Sequence, residues 1–177
     1  MPAAEPIREQ VMAAIKTRLS GIVAGASSAT GWEYRYTPDA VIRHHELDES
    51  CLDPSLGSGE PVIYVMIPAR RDMTNATSRE RDARIEFDLG LAKRWTPGDE
   101  NPHTLAAPNR EQIQGRLAAD AEARLTDDPT FADYQGFGVY LVQVMSEDMS
   151  AEATYYPGWA IVLLRVTVEY RNMAGHP

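Results

Sequence analysis

His44 and His45, followed by Glu46, Asp48, Glu49 and Asp53, form the densest set of metal-ligating side chains in the sequence. Three or more such groups converging on a divalent cation can hold it, and the ion can then activate a water for hydrolysis. Adjacent histidines on a strand point to opposite faces, so both cannot easily grip one ion there, whereas on a loop they can. A small metal-dependent hydrolase using His44, His45 and the nearby carboxylates is therefore one reading; a solvated polar segment is the other. Cys51 follows closely, yet a nucleophilic cysteine needs a thiolate-stabilising environment that spacing does not supply. His103 and His176 stand alone beside prolines, as solvated residues do.

Other catalytic patterns are missing from the sequence. No GxSxG elbow presents a serine between strand and helix. Gly57-Ser58-Gly59 lacks the Lys-Ser/Thr that completes a phosphate loop, and no GxGxxG follows a strand. Gly136-Phe137-Gly138 precedes a strand, where a phosphate loop would follow one. The expectation is a protein with no catalytic residues, no cofactor and no bound metal, hence not an enzyme.

What remains is a contact chemistry. Arg70, Arg71, Arg79, Arg81 and Arg84 form a basic run in an acidic protein, suited to pairing with acidic surface on a neighbouring subunit. The same stretch holds Asp72, Glu80 and Asp82, so a solvated charged loop is the alternative. Tyr155, Tyr156 and Arg171 join the five arginines as candidate inter-subunit contacts. Trp95 and Trp159 suit either the core or an interface.

The elements that must position these residues are legible from periodicity. Ile7, Val11, Ile15, Leu19 and Ile22 share one helical stripe over residues 5–23. Trp32, Tyr34 and Tyr36 alternate, predicting a short strand, and residues 40–47 suit another. Residues 50–61 are turn-rich. Residues 62–67 read as a central strand apolar on both faces. Residues 70–84 read as a projecting loop or hairpin tip. Ile85, Phe87, Leu89 and Leu91 then share one face of a strand whose other face meets solvent or a partner. A second loop spans 96–108. Asn109 with Gln112 predicts a capping box, and Ile113, Leu117, Ala121 and Leu125 form the stripe of a second helix, expected to cover the sheet edge. Residues 139–145 and 159–171 predict a closing hairpin with a long tip over 146–158. In its second strand Trp159, Ile161 and Leu163 face one way and Val162, Leu164, Val166 and Val168 the other. The fold class expected is α+β: a mainly antiparallel or mixed sheet flanked by two helices, with long projecting loops, in one domain over residues 1–177.

Composition bounds the rest. The chain has 177 residues, 44% of them hydrophobic, enough for a core without disulfides or metals. One cysteine excludes an internal disulfide and suits a reducing compartment. No stretch approaches the roughly 20 apolar residues of a membrane span, and no signal peptide is expected. A net charge of −9 argues against binding nucleic acid through a basic surface. It is compatible with a channel whose wall repels phosphates while DNA passes.

The two ends of the chain carry a pattern of their own. The opening helix runs Ile7-Arg8-Glu9-Gln10-Val11-Met12-Ala13-Ala14-Ile15-Lys16-Thr17-Arg18-Leu19. A terminal strand, Leu164-Arg165-Val166-Thr167-Val168-Glu169-Tyr170-Arg171, is followed by a short tail containing Gly175 and Pro177. This resembles the tail terminator, or tail completion, proteins of long-tailed bacteriophages. The resemblance implies a sheet flanked by helices and a homohexameric ring. The ring caps the head-proximal end of the tail tube, ends tube polymerisation and supplies the surface that joins the head. The partners so implied are other copies of the chain, the tail tube protein and a head–tail connector or neck protein. DNA crosses the lumen without specific binding, no membrane is involved, and the protein resides in the virion after assembly in the host cytoplasm. A neck or head-completion connector, which also forms rings, is the neighbouring reading.

Overall fold

The computed structural model describes residues 7–45, 52, 59–68, 70–75, 80–95, 109–127, 138–148 and 158–173. In chain order these form α1 (Ile7–Ser20), β1 (Ala40–His44), β2 (Val62–Met66), β3 (Arg70–Asn75), β4 (Glu80–Arg94), α2 (Arg110–Thr126), β5 (Gly138–Asp148) and β6 (Trp159–Met173). The expected α+β class holds: one mixed sheet ordered β1-β2-β4-β6-β5, with β3 also on β4 and two helices packed against it. The β1–β2 pair is parallel and every other pair antiparallel.

The centre of the sheet is β4 against β6, paired residue for residue from Glu80↔Met173 to Arg94↔Trp159. Fifteen residues at about 3.4 Å each make a ribbon on the order of 50 Å long. Its alternation is the one predicted. Ile85, Phe87, Leu89 and Leu91 of β4, with Val162, Leu164, Val166 and Val168 of β6, are buried in the main core. That core also takes Val11, Ile15, Leu19 and Ile22 of the α1 side and Ile113, Leu117, Ala121 and Leu125 of α2. Both helices therefore lie on one face. On the other face Leu52, Val62, Tyr64, Ala92 and Ile161 make a smaller cluster, which explains why β2 is buried on both sides.

Asn109 caps α2 as expected: its side chain accepts from the Gln112 amide at 2.8 Å, and the Gln112 side chain accepts from the Asn109 amide. The position of α2 differs from expectation. It packs chiefly on β6, with β5 and β4 at its flanks, and so covers the interior of the sheet, not its edge. Its buried Gln114 donates to the Ile161 carbonyl. That carbonyl lies beyond Leu163, where the β5 ladder ends.

Of the projecting loop or hairpin tip expected over residues 70–84, the described residues show a hairpin, with 70–75 paired antiparallel to 81–86, while residues 76–79 lie outside the described set. Val65 pairs with Leu89 and Arg70 with Glu86, so five steps along one strand match three along the other. Two extra residues therefore lie between β2 and β3, in a stretch that includes Pro68, which has no N–H to donate. Hydrophobicity hid β3 because polar residues fill it. Its register nevertheless sets Arg70 opposite Glu86 and Asp72 opposite Arg84. Similarly, β5 runs on to Asp148, past the predicted start of the hairpin tip. The predicted loop at 96–108, and residues 149–157 of the hairpin tip predicted over 146–158, lie outside the described residues.

Candidate assembly surface

The face of the sheet away from the helices carries, beyond the Tyr64 cluster, a ladder of opposite charges. Asp82, Arg84, Glu86 and Asp88 on β4 stand in register with Arg171, Glu169, Thr167 and Arg165 on β6. Arg165 grips Asp88 with two bonds, at 2.9 and 3.2 Å, and Arg171 meets Asp82 at 3.1 Å. Arg84 pairs with Glu86 at 2.7 Å along its own strand. All three pairs are partly exposed, so each adds little to stability. Among them Thr167, only 1% exposed, keeps a hydroxyl with no hydrogen-bond partner among the described residues.

Of the candidate contact residues, Arg84 and Arg171 pair with acids of their own chain, Glu86 and Asp82, and stay partly exposed. The backbone places Arg70 and Arg71 at the start of β3 and Arg81 near the start of β4. Arg79, Tyr155 and Tyr156 lie outside the described residues. Trp95 packs against the main core and Trp159 against the smaller cluster, both half-buried. Arg110 lies over the Trp95 ring and Arg94 over Trp159, at 5.8 and 5.7 Å.

The histidine pair does not form a metal centre among the described residues. His44 closes β1 with its ring edge-on to Tyr64, centroids 6.2 Å apart, while His45 is exposed just beyond. No group of three His, Cys, Asp or Glu side chains among the described residues is placed to hold an ion. Glu46, Asp48, Glu49, Cys51, Asp53, His103 and His176 lie outside that set.

No protein-family model and no curated protein matches this chain. No helix among the described residues is long and apolar enough to cross a membrane.

The residues that sequence reasoning missed are two aspartates of α2. Asp120, 3% exposed, accepts from the Trp32 indole N–H at 2.8 Å and from the Arg35 and Tyr36 amides at 2.9 Å. Burial pushes its carboxyl above the usual range, against the pull of those donors. Asp127, one residue past the helix, accepts from the Ala29 amide at 2.7 Å and the Tyr34 hydroxyl at 3.2 Å. Together they anchor the loop around residues 26–36 to the helix. The alternation of the predicted strand is real, with Tyr34 buried and Glu33 and Arg35 exposed. Its first half pairs briefly, through the Ser27–Glu33 bridge and the Tyr34 amide on the Ala26 carbonyl at 2.9 Å, but the Arg35 and Tyr36 amides go to the Asp120 carboxylate and no longer strand forms. One signal was available. Ile113, Asp120 and Asp127 are spaced by seven, so an acid sits in the middle of an apolar stripe.

Beside Asp120, the residues Ile22, Tyr36, Pro38, Pro61, Ile63, Leu91 and Leu117 line a narrow pocket with room for about one water molecule. Lys93 stands close by, bonded to the Gly59 carbonyl and 5.1 Å over the Tyr36 ring, its ammonium pushed down by burial. The arrangement clamps the approach to β2 and does not accommodate an organic substrate.

Proposed function

We propose that this chain is a structural subunit that assembles into a ring, of the tail terminator kind, closing the head-proximal end of a phage tail tube. The observation that carries the reading is the arrangement of the sheet among the described residues. Both helices pack on one face, and no described strand covers the outer sides of β3 and β5, which leaves two strand margins for other chains. Subunits of a ring need two different surfaces that fit each other, and opposite margins of one sheet supply them. The resemblance of the chain's ends to tail terminators supplies the rest: their implied fold is a sheet flanked by helices, as here. An excess of acid, 26 residues against 17 basic, suits a lumen that DNA crosses without sticking.

The test is electron microscopy of the purified chain mixed with polymerised tail-tube protein from the genome that encodes it. A ring at one tube end, with tubes that stop lengthening, is the expected result. Binding at the portal alone would replace this reading with the neck connector. Tubes that grow on with bare ends would overturn it.

A further inference from the structure

The two margins of the sheet differ in a way that bears on how copies meet. On one side β1 covers β2, from Ala40↔Val62 to His44↔Met66, and the ladder adds one more bond from the Ile67 amide to the His44 carbonyl at 3.0 Å. Then β1 ends, and further along β4 it is β3 that takes the place β2 holds. Among the described residues no strand lies on the outer side of β3 or, at the far margin, of β5. Backbone groups on such an edge can pair with another chain.

We infer that the outer edge of β3 takes the β5 edge of a second copy of this chain, joining neighbouring subunits strand to strand. The inference rests on the ring reading and names the surfaces that would make the ring. Two observations support the choice of occupant. Within the sheet β3 runs antiparallel to β4, β4 to β6 and β6 to β5, so β3 and β5 point in opposite directions. In a cyclic assembly whose axis follows the strands each subunit keeps that sense, and β5 meets the neighbour's β3 as an antiparallel pair. The charges fit the same orientation. The six residues of β3 open with Arg70 and Arg71, whereas the eleven of β5 hold no base and close with Glu147-Asp148. Antiparallel pairing brings the basic start of one strand and the acidic end of the other to the same end of the joint.

Two irregularities in β5, between Val139 and Leu141 and between Val144 and Ser146, set a limit on this contact. They break the edge into short regular runs, with Met145 52% exposed between them, so a second strand can follow β5 in regular register only over a short stretch.

The experiment is a charge swap read by ring formation. Arg70→Glu with Arg71→Glu in one variant, and Glu147→Arg with Asp148→Arg in another, should each raise the concentration needed for assembly at least about tenfold. The chain carrying all four changes should return to within about threefold of the parent. Circular dichroism and thermal melting check that every variant folds as the parent does. Rings that form equally well from the two single-margin variants would overturn the inference and leave the ring reading intact. Failure of the four-change chain to recover, with both partial variants folded and defective, would also overturn it. A parent chain that forms no ring, alone or on tail tubes, would sink both.

Discussion

Asp120→Ala should be the most damaging change at a polar position of α2. The carboxylate receives the Trp32 indole and two backbone amides at 2.8–2.9 Å. Hydrogen bonds to a charged group contribute roughly 1.5–3 kcal/mol each, and a donor left buried without a partner costs roughly 1–3 kcal/mol. The sum is not reached, because removing the acid also recovers the cost of burying it, the same cost that raises its pKa. A net loss of about 3 kcal/mol follows, which for a chain of this size lowers Tm by roughly 6–12 °C. Urea unfolding read by circular dichroism gives the stability, and Trp32→Phe isolates the indole signal from Trp95 and Trp159. Asp120→Asn keeps the volume but turns an N–H toward one of the donors, so it should lose about 2 kcal/mol. The pH dependence carries a sign. A carboxyl whose folded pKa is raised holds its proton more tightly in the native state, so its contribution falls as pH rises from the ordinary carboxylate value through the raised one. The gap between the parent and Asp120→Asn should therefore shrink with rising pH over that window. If Asp120→Ala unfolds within about 0.5 kcal/mol of the parent, with Trp32 emission unchanged, the carboxylate does not anchor the loop.

Four further outcomes are expected. Asn109→Ala removes the capping box of α2 and should cost about 1 kcal/mol in urea unfolding. Glu9, held below its ordinary value first by Arg43 at 2.6 Å, stabilises the fold above the usual carboxylate range and loses that as pH falls through its lowered pKa; Glu9→Gln should flatten this acid limb in a pH series of melts. Gly21→Ala places a Cβ 2.7 Å from an Nη of Arg124, so the guanidinium must shift and weaken the bond its Nε makes to the Arg18 carbonyl at 3.0 Å; thermal melting should fall by the equivalent of no more than about 1 kcal/mol. Asp88→Asn at the exposed Arg165 pair should change stability by less than about 0.5 kcal/mol, measured the same way.

The sequence made most of the fold legible because the informative residues are apolar and periodic. Ile85, Phe87, Leu89 and Leu91 declared one face of β4, and Val162 to Val168 the matching face of β6, since the pleat repeats every two residues. Asn109 and Gln112 declared a helix start by spacing alone. What stayed hidden depends on polar groups satisfied over long separations. The strand of residues 70–75 reads as a loop until its backbone is seen beside residues 81–86, because polar residues carry little period-two signal. Asp120 meets Trp32 across 88 positions, a pairing that no local window contains. The charged ladder is a mixed case: the alternation of Asp82, Arg84, Glu86 and Asp88 is readable, but only the register with Arg165 and Arg171 shows that the charges are already matched.

That matching bears on where other chains can bind. A partner laid flat on the ladder would have to strip water from the Asp88–Arg165, Asp82–Arg171 and Arg84–Glu86 pairs, whose charges already neutralise one another. Desolvating such pairs costs more than a new surface contact returns unless every lone pair finds a partner again. A strand added at a margin desolvates chiefly backbone groups and gives each a hydrogen bond in the same step. The ladder is therefore better suited to face water, and the margins to face other subunits. Its composition agrees: Asp82, Glu86, Asp88 and Glu169 against Arg84, Arg165 and Arg171 leave it close to neutral with one acid in excess. In the proposed ring such a face can lie toward the lumen without gripping a phosphate backbone, while the arginines of β3 stay with the subunit contact.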